Sequence, residues 1–157
     1  MTTALQDNTV PALAASNDAK CFTVYCGHEI FGLPVEHAQT IFRVASVTPV
    51  PLGRPEIVGL INLRGKIVTA VSLRQRLALE PAPSLDNALA IGVERANETF
   101  ALLVDRVGDV IDLDTTLRLA IPPHFDPRRA QMTSALYRVG DQLIPILSMD
   151  MLFDFDR

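Results

Sequence analysis

The feature of this chain that most narrows its fold is an ordered internal repeat. Phe31, Leu33, Val35, Glu36, Ala38 and Ile41 are matched without a gap by Phe100, Leu102, Val104, Asp105, Val107 and Val110, 69 positions later. Farther on, IVTAVSLRQRL from Ile67 is matched by LIPILSMDMLF from Leu143, 76 positions later, with Ser72 opposite Ser148 and Leu77 opposite Phe153. The order is unit A, unit B, unit A, unit B. Duplicated units predict two similar lobes, each built from a hairpin, a short helix and a second hairpin. A shared period of two accounts for Phe31, Leu33 and Val35. It does not account for the acidic residue that follows in both copies.

The local pattern gives the class of those lobes. From Phe22 onward, short runs of Val, Ile, Leu and Phe alternate with Gly, Pro, Asn and Asp at the spacing of an all-β fold. FTVYC, IFGLPV, IVGLINL, KIVTAV, LAIGV, TFALLV, DVIDL, SALYRV and QLIPIL are the predicted strands. Helical signals are short: EHAQTIF (36–42), LRQRL (73–77), and SMDMLF (148–153), which opens on a capping serine. EPAPSLDN (80–87), with two prolines, reads as an exposed connector. Strands with no long helices to cover them tend to close on themselves, which removes exposed edges. The expectation is all-β, two small five-stranded β barrels related by the repeat.

A length of 157 residues suits one domain that buries its core without a metal or disulfide staple. A net charge of -4 offers no footprint for nucleic acid or an anionic membrane. No window has the roughly 18 to 20 apolar residues of a membrane span, so no direct membrane insertion is expected. Residues 1–19 lack the basic start of a secretory signal and read as a mobile tail, with 20–157 as the domain. The cytoplasm is the default compartment. Cys21 and Cys26 stand an odd number of positions apart in one strand, which sends them to opposite faces, so two buried reduced thiols are expected.

The inventory of reactive groups is sparse. His28, His37 and His124 stand in separate contexts, without metal-ligand spacing, and there is no CxxC. Asp105, Asp109, Asp112 and Asp114 lack the glycine and glutamate of a calcium loop and read as a solvated strand face. There is no GxxxxGK[ST], GxGxxG or GxSxG. Ser72 and Ser148 fit helix starts better than nucleophiles, and Arg128–Arg129 after HFDP reads as a solvated turn. No catalysis, cofactor or metal is expected. A small-ligand-binding β barrel is the rival from another class, and it needs convergent polar groups that this inventory scarcely supplies.

One polar knuckle interrupts an apolar run: Asn62, Arg64, Gly65 and Lys66 within GLINLRGKIVTAVSLRQRL. Gly65 suits the positive φ of a two-residue hairpin loop. Turn geometry does not require Arg64, whereas a guanidinium on a rigid hairpin is a common interface hot spot.

This string resembles the signature of the CheW-like domain. FTVYCGHEIFGLPVEHAQTIFR resembles that family's opening segment, and LLVDRVGDVIDL its VDxVxDVxxL segment; the likeness runs from Cys21 to the C-terminus. The resemblance implies two β barrels around a shared core. It implies a non-catalytic adaptor that couples chemoreceptor cytoplasmic tips to the chemotaxis histidine kinase, through the kinase's regulatory domain of the same fold. Recruitment to receptor arrays follows, and self-association into rings is compatible with it. Carried over by position, the receptor-facing surface falls at Ala38, Thr40, Gly59, Asn62, Arg64 and Gly65. Kinase contacts fall mainly on the first lobe's hairpins. Thr40 stands where many members have a glutamate able to pair with the NLRG arginine; Ser72 replaces an aspartate and Thr69 a proline. These departures leave open an adaptor of an accessory array controlling surface motility or another output.

Overall fold

The β-branched and aromatic runs form strands, and the Gly and Asn positions between them form tight turns. A computed structural model describes residues 20–51, 53–82 and 84–155; the tail expected over residues 1–19 lies outside them. Eleven strands are described: β1 (Lys20–Cys26), β2 (Glu29–Pro34), β3 (Ala38–Arg43), β4 (Ile57–Leu63), β5 (Lys66–Ser72), β6 (Leu89–Arg95), β7 (Glu98–Val104), β8 (Arg106–Asp112), β9 (Arg118–Leu119), β10 (Thr133–Val139) and β11 (Gln142–Leu147). Three short helices accompany them: α1 (Leu73–Arg76), α2 (Pro127–Met132) and α3 (Met149–Leu152). Ser72 and Ser148 each accept a hydrogen bond from a backbone N–H three residues on, and so cap α1 and α3 as expected.

All nine predicted strands are present. EHAQTIF is not the helix its spacing predicts: Val35–His37 make a single 3-10 turn and Ala38–Arg43 continue as β3. Burial along β3 alternates residue by residue, and Thr40 and Ile41 are β-branched, so a half-buried strand competes better than a short helix.

The strand orders are β8-β1-β2-β11-β10-β9 and β3-β6-β7-β5-β4. Substituting repeat equivalents (β1 for β6, β2 for β7, β3 for β8, β4 for β10, β5 for β11) turns one order into the other, with β9 as an added edge. The correspondence holds to single residues. Val24 faces Val107 as Val93 faces Ala38, and both ladders then slip by one residue. Ile57 faces Val71 as Thr133 faces Leu147, again with a bulge after each pair.

The lobes are nonetheless out of phase with the repeat. The expected lobe of one contiguous repeat is replaced by an exchange: lobe one takes β1 and β2 from the first copy and β8, β10 and β11 from the second. Lobe two is residues 38–104. The chain crosses between lobes after β2, where Pro34 and the 3-10 turn end the strand, and again after β7 at Asp105.

Three apolar clusters follow. Ile61, Val68, Ala70, Ala90, Ala101 and Leu103 fill lobe two, with Phe42 against them. Cys21, Tyr137, Ile144 and Ile146 fill lobe one, with Ile30 and Ile111 against them. Each interior receives side chains from all five equivalent strands, so each sheet curls around its own filling, although among the described residues no ladder closes it. Between the lobes lies a larger shared core that includes Phe31, Leu33, Val71, Ile91, Phe100, Leu102, Leu147 and Phe153. Burying each such side chain contributes about 1.5–3 kcal/mol. Cys21 lies in a lobe interior and Cys26 in the shared core, the opposite faces that their spacing predicts; both are free thiols.

Candidate docking site

Leu63 faces Lys66 across β4 and β5, leaving Arg64 and Gly65 as a two-residue loop. Both have positive φ, 54° and 84°, which is the mirror-image turn that matches strand twist. Asn62 fixes the loop: its Oδ1 accepts a hydrogen bond from the Gly65 N–H at 2.9 Å. Asn62 therefore holds the turn, and Arg64 is what the turn presents. Arg64 is exposed, and no hydrogen bond or ion pair among the described residues engages it.

Thr40 lies beside this hairpin. Its Cγ2 stands 2.8 Å, and Leu63 Cδ2 3.8 Å, from the point a Gly92 Cβ would occupy, so the edges β3 and β4 meet over a glycine. The methyl face of Thr40 packs there. Ala38, the first residue of β3, packs against the shared core. Gly59 is buried: a Cβ there would stand 2.2 Å from the Thr48 carbonyl oxygen, and Thr48 exchanges two 2.8 Å backbone hydrogen bonds with Leu60. Of the six predicted positions, the fold brings Asn62, Arg64 and Gly65 into one hairpin with Thr40 adjoining it. It places Ala38 and Gly59 at packing positions away from the turn.

Two pairs of apolar side chains left in solvent are repeat equivalents. Ile41 and Ile67 are 43% and 64% exposed in lobe two, and their equivalents Val110 and Leu143 are 49% and 45% exposed in lobe one. Ile67 pairs with Asn62 across the ladder, so it belongs to the Arg64 hairpin.

The charged groups hold more than their local sequence suggests. Asp105 is exposed, as expected, but it lies at the bend between β7 and β8 and is engaged: Arg74 donates Nε to its Oδ1 at 2.9 Å and Nη2 to its Oδ2, and the Gly27 N–H donates to Oδ2 at 2.7 Å. The Arg74 bond holds the Asp105 carboxyl below the usual carboxylate range, against the opposing effect of burial. This clamp ties α1 and the β1–β2 turn to the second crossing between lobes. Arg128 and Arg129 are not a solvated turn. They lie in α2, capped by Asp126, and pair with Glu56 at 3.4 Å and Glu29 at 2.7 Å.

Glu56 also receives Nη1 of Arg76 at 3.3 Å, and the Arg76 side chain is only 3% exposed. Nη2 of Arg76 donates to the carbonyls of Met151 at 2.6 Å and Asp154 at 3.3 Å, and the guanidinium lies 5.0 Å from the Phe155 ring centroid. The repeat equivalents of Glu56 and Arg76 are Met132 and Leu152, so two charges replace two apolar residues. That break in the repeat was the available signal for the buried pair.

Among the described residues, no cluster of three or more His, Cys, Asp or Glu could hold a metal ion, and no helix is long and apolar enough to cross a membrane. The chain matches the CheW-like domain over residues 20–157. It is 26% identical over 151 residues to Chemotaxis protein CheW of Klebsiella aerogenes, covering 95% of this chain and 90% of that protein. It is 26% identical over 120 residues to Chemotaxis protein CheW of Thermotoga maritima, covering 76% and 78%. The crystal structure of scaffolding protein TtCheW from Thermoanaerobacter tengcongensis superposes with a TM-score of 0.78 at 25% identity, covering 88% of this chain and 94% of that one.

Proposed function

Because the chain belongs to the CheW-like domain family, we propose that it is a non-catalytic adaptor coupling chemoreceptors to the chemotaxis histidine kinase. The observation that carries this reading is the family match across the whole described domain, together with curated relatives that are chemotaxis proteins and a structural neighbour that is a scaffolding protein. The geometry supports it: two like lobes locked around one core offer two separate surfaces on a rigid body. Coupling then works by linkage. A receptor alters the kinase only through contacts that differ between its states, and such couplings are typically ~1–3 kcal/mol.

Within this reading, the receptor tip docks at the Arg64 hairpin. Arg64 supplies the charge, Ile67 and Ile41 supply apolar area, and Asn62 and Gly65 hold the turn, with Thr40 beside it. Ala38 and Gly59 contribute by shaping the strands. The kinase's regulatory domain takes the hairpins of the first lobe, and the protein works in the cytoplasm at receptor arrays. The test is binding of wild type and Arg64→Ala to a receptor cytoplasmic fragment and, separately, to the kinase's regulatory domain. A receptor affinity about 30-fold weaker, equivalent to ~2 kcal/mol, with kinase affinity and melting temperature unchanged, is the expected result. Receptor binding indifferent to Arg64 would move the site elsewhere, and binding to neither partner would overturn the coupling role.

A further inference from the structure

The two repeat copies already exchange parts within one molecule. Each copy is a hairpin, β1–β2 or β6–β7, together with strands that complete a lobe, and each hairpin pairs with the strands of the other copy. β1 lies against β8 and β2 against β11, as β6 lies against β3 and β7 against β5. These pairings need the two copies side by side. They do not need them on one chain, because the same strands from a second molecule satisfy every one of them. What keeps the exchange internal therefore lies in the two crossings between lobes.

The crossings differ. The first is Pro34 with the 3-10 turn Val35–His37, where the proline ring fixes φ. The second is one residue: β7 ends at Val104 and β8 begins at Arg106, so Asp105 alone makes the bend that sends β8 to β1. Both lobes hold it. The Asp105 N–H donates to the Tyr25 carbonyl at 2.9 Å, the Gly27 N–H donates to Oδ2 at 2.7 Å, and Arg74 of α1 donates Nε to Oδ1 at 2.9 Å. Among the described residues, no hydrogen bond or ion pair engages the carboxylate of Glu36, the equivalent residue at the first crossing. The flanks of Asp105 favour extension: Leu102, Leu103, Val104 and Val107 read as one strand once residue 105 is extended.

We propose that the Asp105 bend is a lock against domain swapping. Straightened at residue 105, β7 and β8 become one strand, and β8–β11 complete lobe one of a second copy of this chain. The swapped dimer keeps the β1–β8 and β2–β11 ladders and the shared core, and gives up only the bonds at the hinge. Short hinges invite such exchange because opening relieves the bend. The Arg74 and Gly27 bonds to Asp105 oppose it. The joined pair carries two Arg64 hairpins on one body, and the inference does not rest on their receptor-facing role.

The test uses the full chain with Asp105→Val, which removes the lock and favours an extended hinge. Lys20 and Asp112 face each other at the end of the β1–β8 ladder, so Lys20→Cys in one preparation and Asp112→Cys in another report which chains pair. The two preparations are mixed in urea, refolded, and oxidised once folded, when Cys21 and Cys26 are buried. An interchain disulfide from position 20 to position 112, identified by mass spectrometry, should form about 10-fold more in the Asp105→Val background than with Asp105 in place. Light scattering should give twice the chain mass in the same proportion. Arg74→Gln, which leaves residue 105 intact, should also yield the dimer, and a Gly-Ser-Gly insertion after position 105 of the Asp105→Val chain should return it to monomer. The proposal is overturned by monomer in both unlocked variants, by equal yields with and without the lock, by dimer lacking the 20-to-112 link, or by dimer that survives the insertion.

Discussion

Replacing Glu56 and Arg76 by the residues that lobe one uses at the same places, Met and Leu, measures what the buried pair is worth. Arg76→Leu leaves Glu56, which is 11% exposed, with only the 3.4 Å contact from Arg128. Glu56→Met leaves a guanidinium that is 3% exposed with no carboxylate. Burial already pulls the Arg76 pKa below the usual guanidinium range, and repulsion from Arg128 adds to it, while Glu56 opposes both. Breaking a buried pair from either side typically costs ~3–5 kcal/mol, so independent effects would sum to about 6–10 kcal/mol. The double variant removes both desolvated charges and frees Arg128, 35% exposed, to water. What it loses is the pair of bonds from Arg76 to the Met151 and Asp154 carbonyls, about 1 kcal/mol each. The expected cost of the double is therefore about 1–2 kcal/mol, below either single variant, with a coupling of at least ~4 kcal/mol. Urea unfolding of all four proteins in a double-mutant cycle reads this directly. Single costs that add to within ~0.5 kcal/mol would refute the reasoning and assign Arg76 to the carbonyls alone.

Other expectations follow from the same geometry. Gly59→Ala places a methyl 2.2 Å from the Thr48 carbonyl, so it should cost several kcal/mol, about 2–4 °C of Tm per kcal/mol in a chain of this size, while Gly65→Ala, with nothing within 4 Å, costs only the turn strain, ~1 kcal/mol. Asp105→Asn should cost about 1–3 kcal/mol at pH 7. Because Arg74 holds the folded-state pKa of Asp105 below its ordinary 3.8, that contribution is present above this value and is lost as pH falls through the depressed pKa. The stability gap between wild type and Asp105→Asn should therefore narrow as pH falls below about 3.8, and a gap that stays constant or widens there would contradict the assignment. Burial pushes the Cys21 thiol up to about 11 and the Cys26 thiol up to about 12, so neither should react with iodoacetamide at pH 8 until the protein unfolds.

The strands were legible because each carries its own period and its own turn residues. Even β3 was readable in principle: its repeat equivalents Val107 and Val110 lie in a run no one would take for a helix, but EHAQTIF read alone satisfies a helical spacing as well. The NLRG hairpin was legible because its Gly and Asn answer to local geometry. What the pattern could not carry was partnership at a distance. The repeat names the unit but not which copy of β2 pairs with which β11, so the exchange of strands between lobes stayed hidden. Arg74 with Asp105 and Glu56 with Arg76 are hidden for the same reason, since a charge on a turn looks solvated until the chain folds a second carboxylate or guanidinium against it. The six expected docking positions came as one group by resemblance. The fold sorts them into a presenting hairpin and packing positions such as Gly59, whose missing side chain makes room for Thr48.

The exchange has a consequence for how the molecule comes off the ribosome. Lobe two is an unbroken stretch, and it is whole once β7 has emerged. The β1–β2 hairpin precedes lobe two, yet its neighbours β8 and β11 follow it, the second of them more than a hundred residues after β2. Contacts of such long sequence separation form late and slowly. In the interval, the hairpin's Phe31 and Leu33 have one apolar surface to meet, the face of lobe two that carries Ile91, Phe100 and Leu102. The contacts that complete lobe one thus span far more sequence than any within lobe two, and the slow steps of folding belong to them.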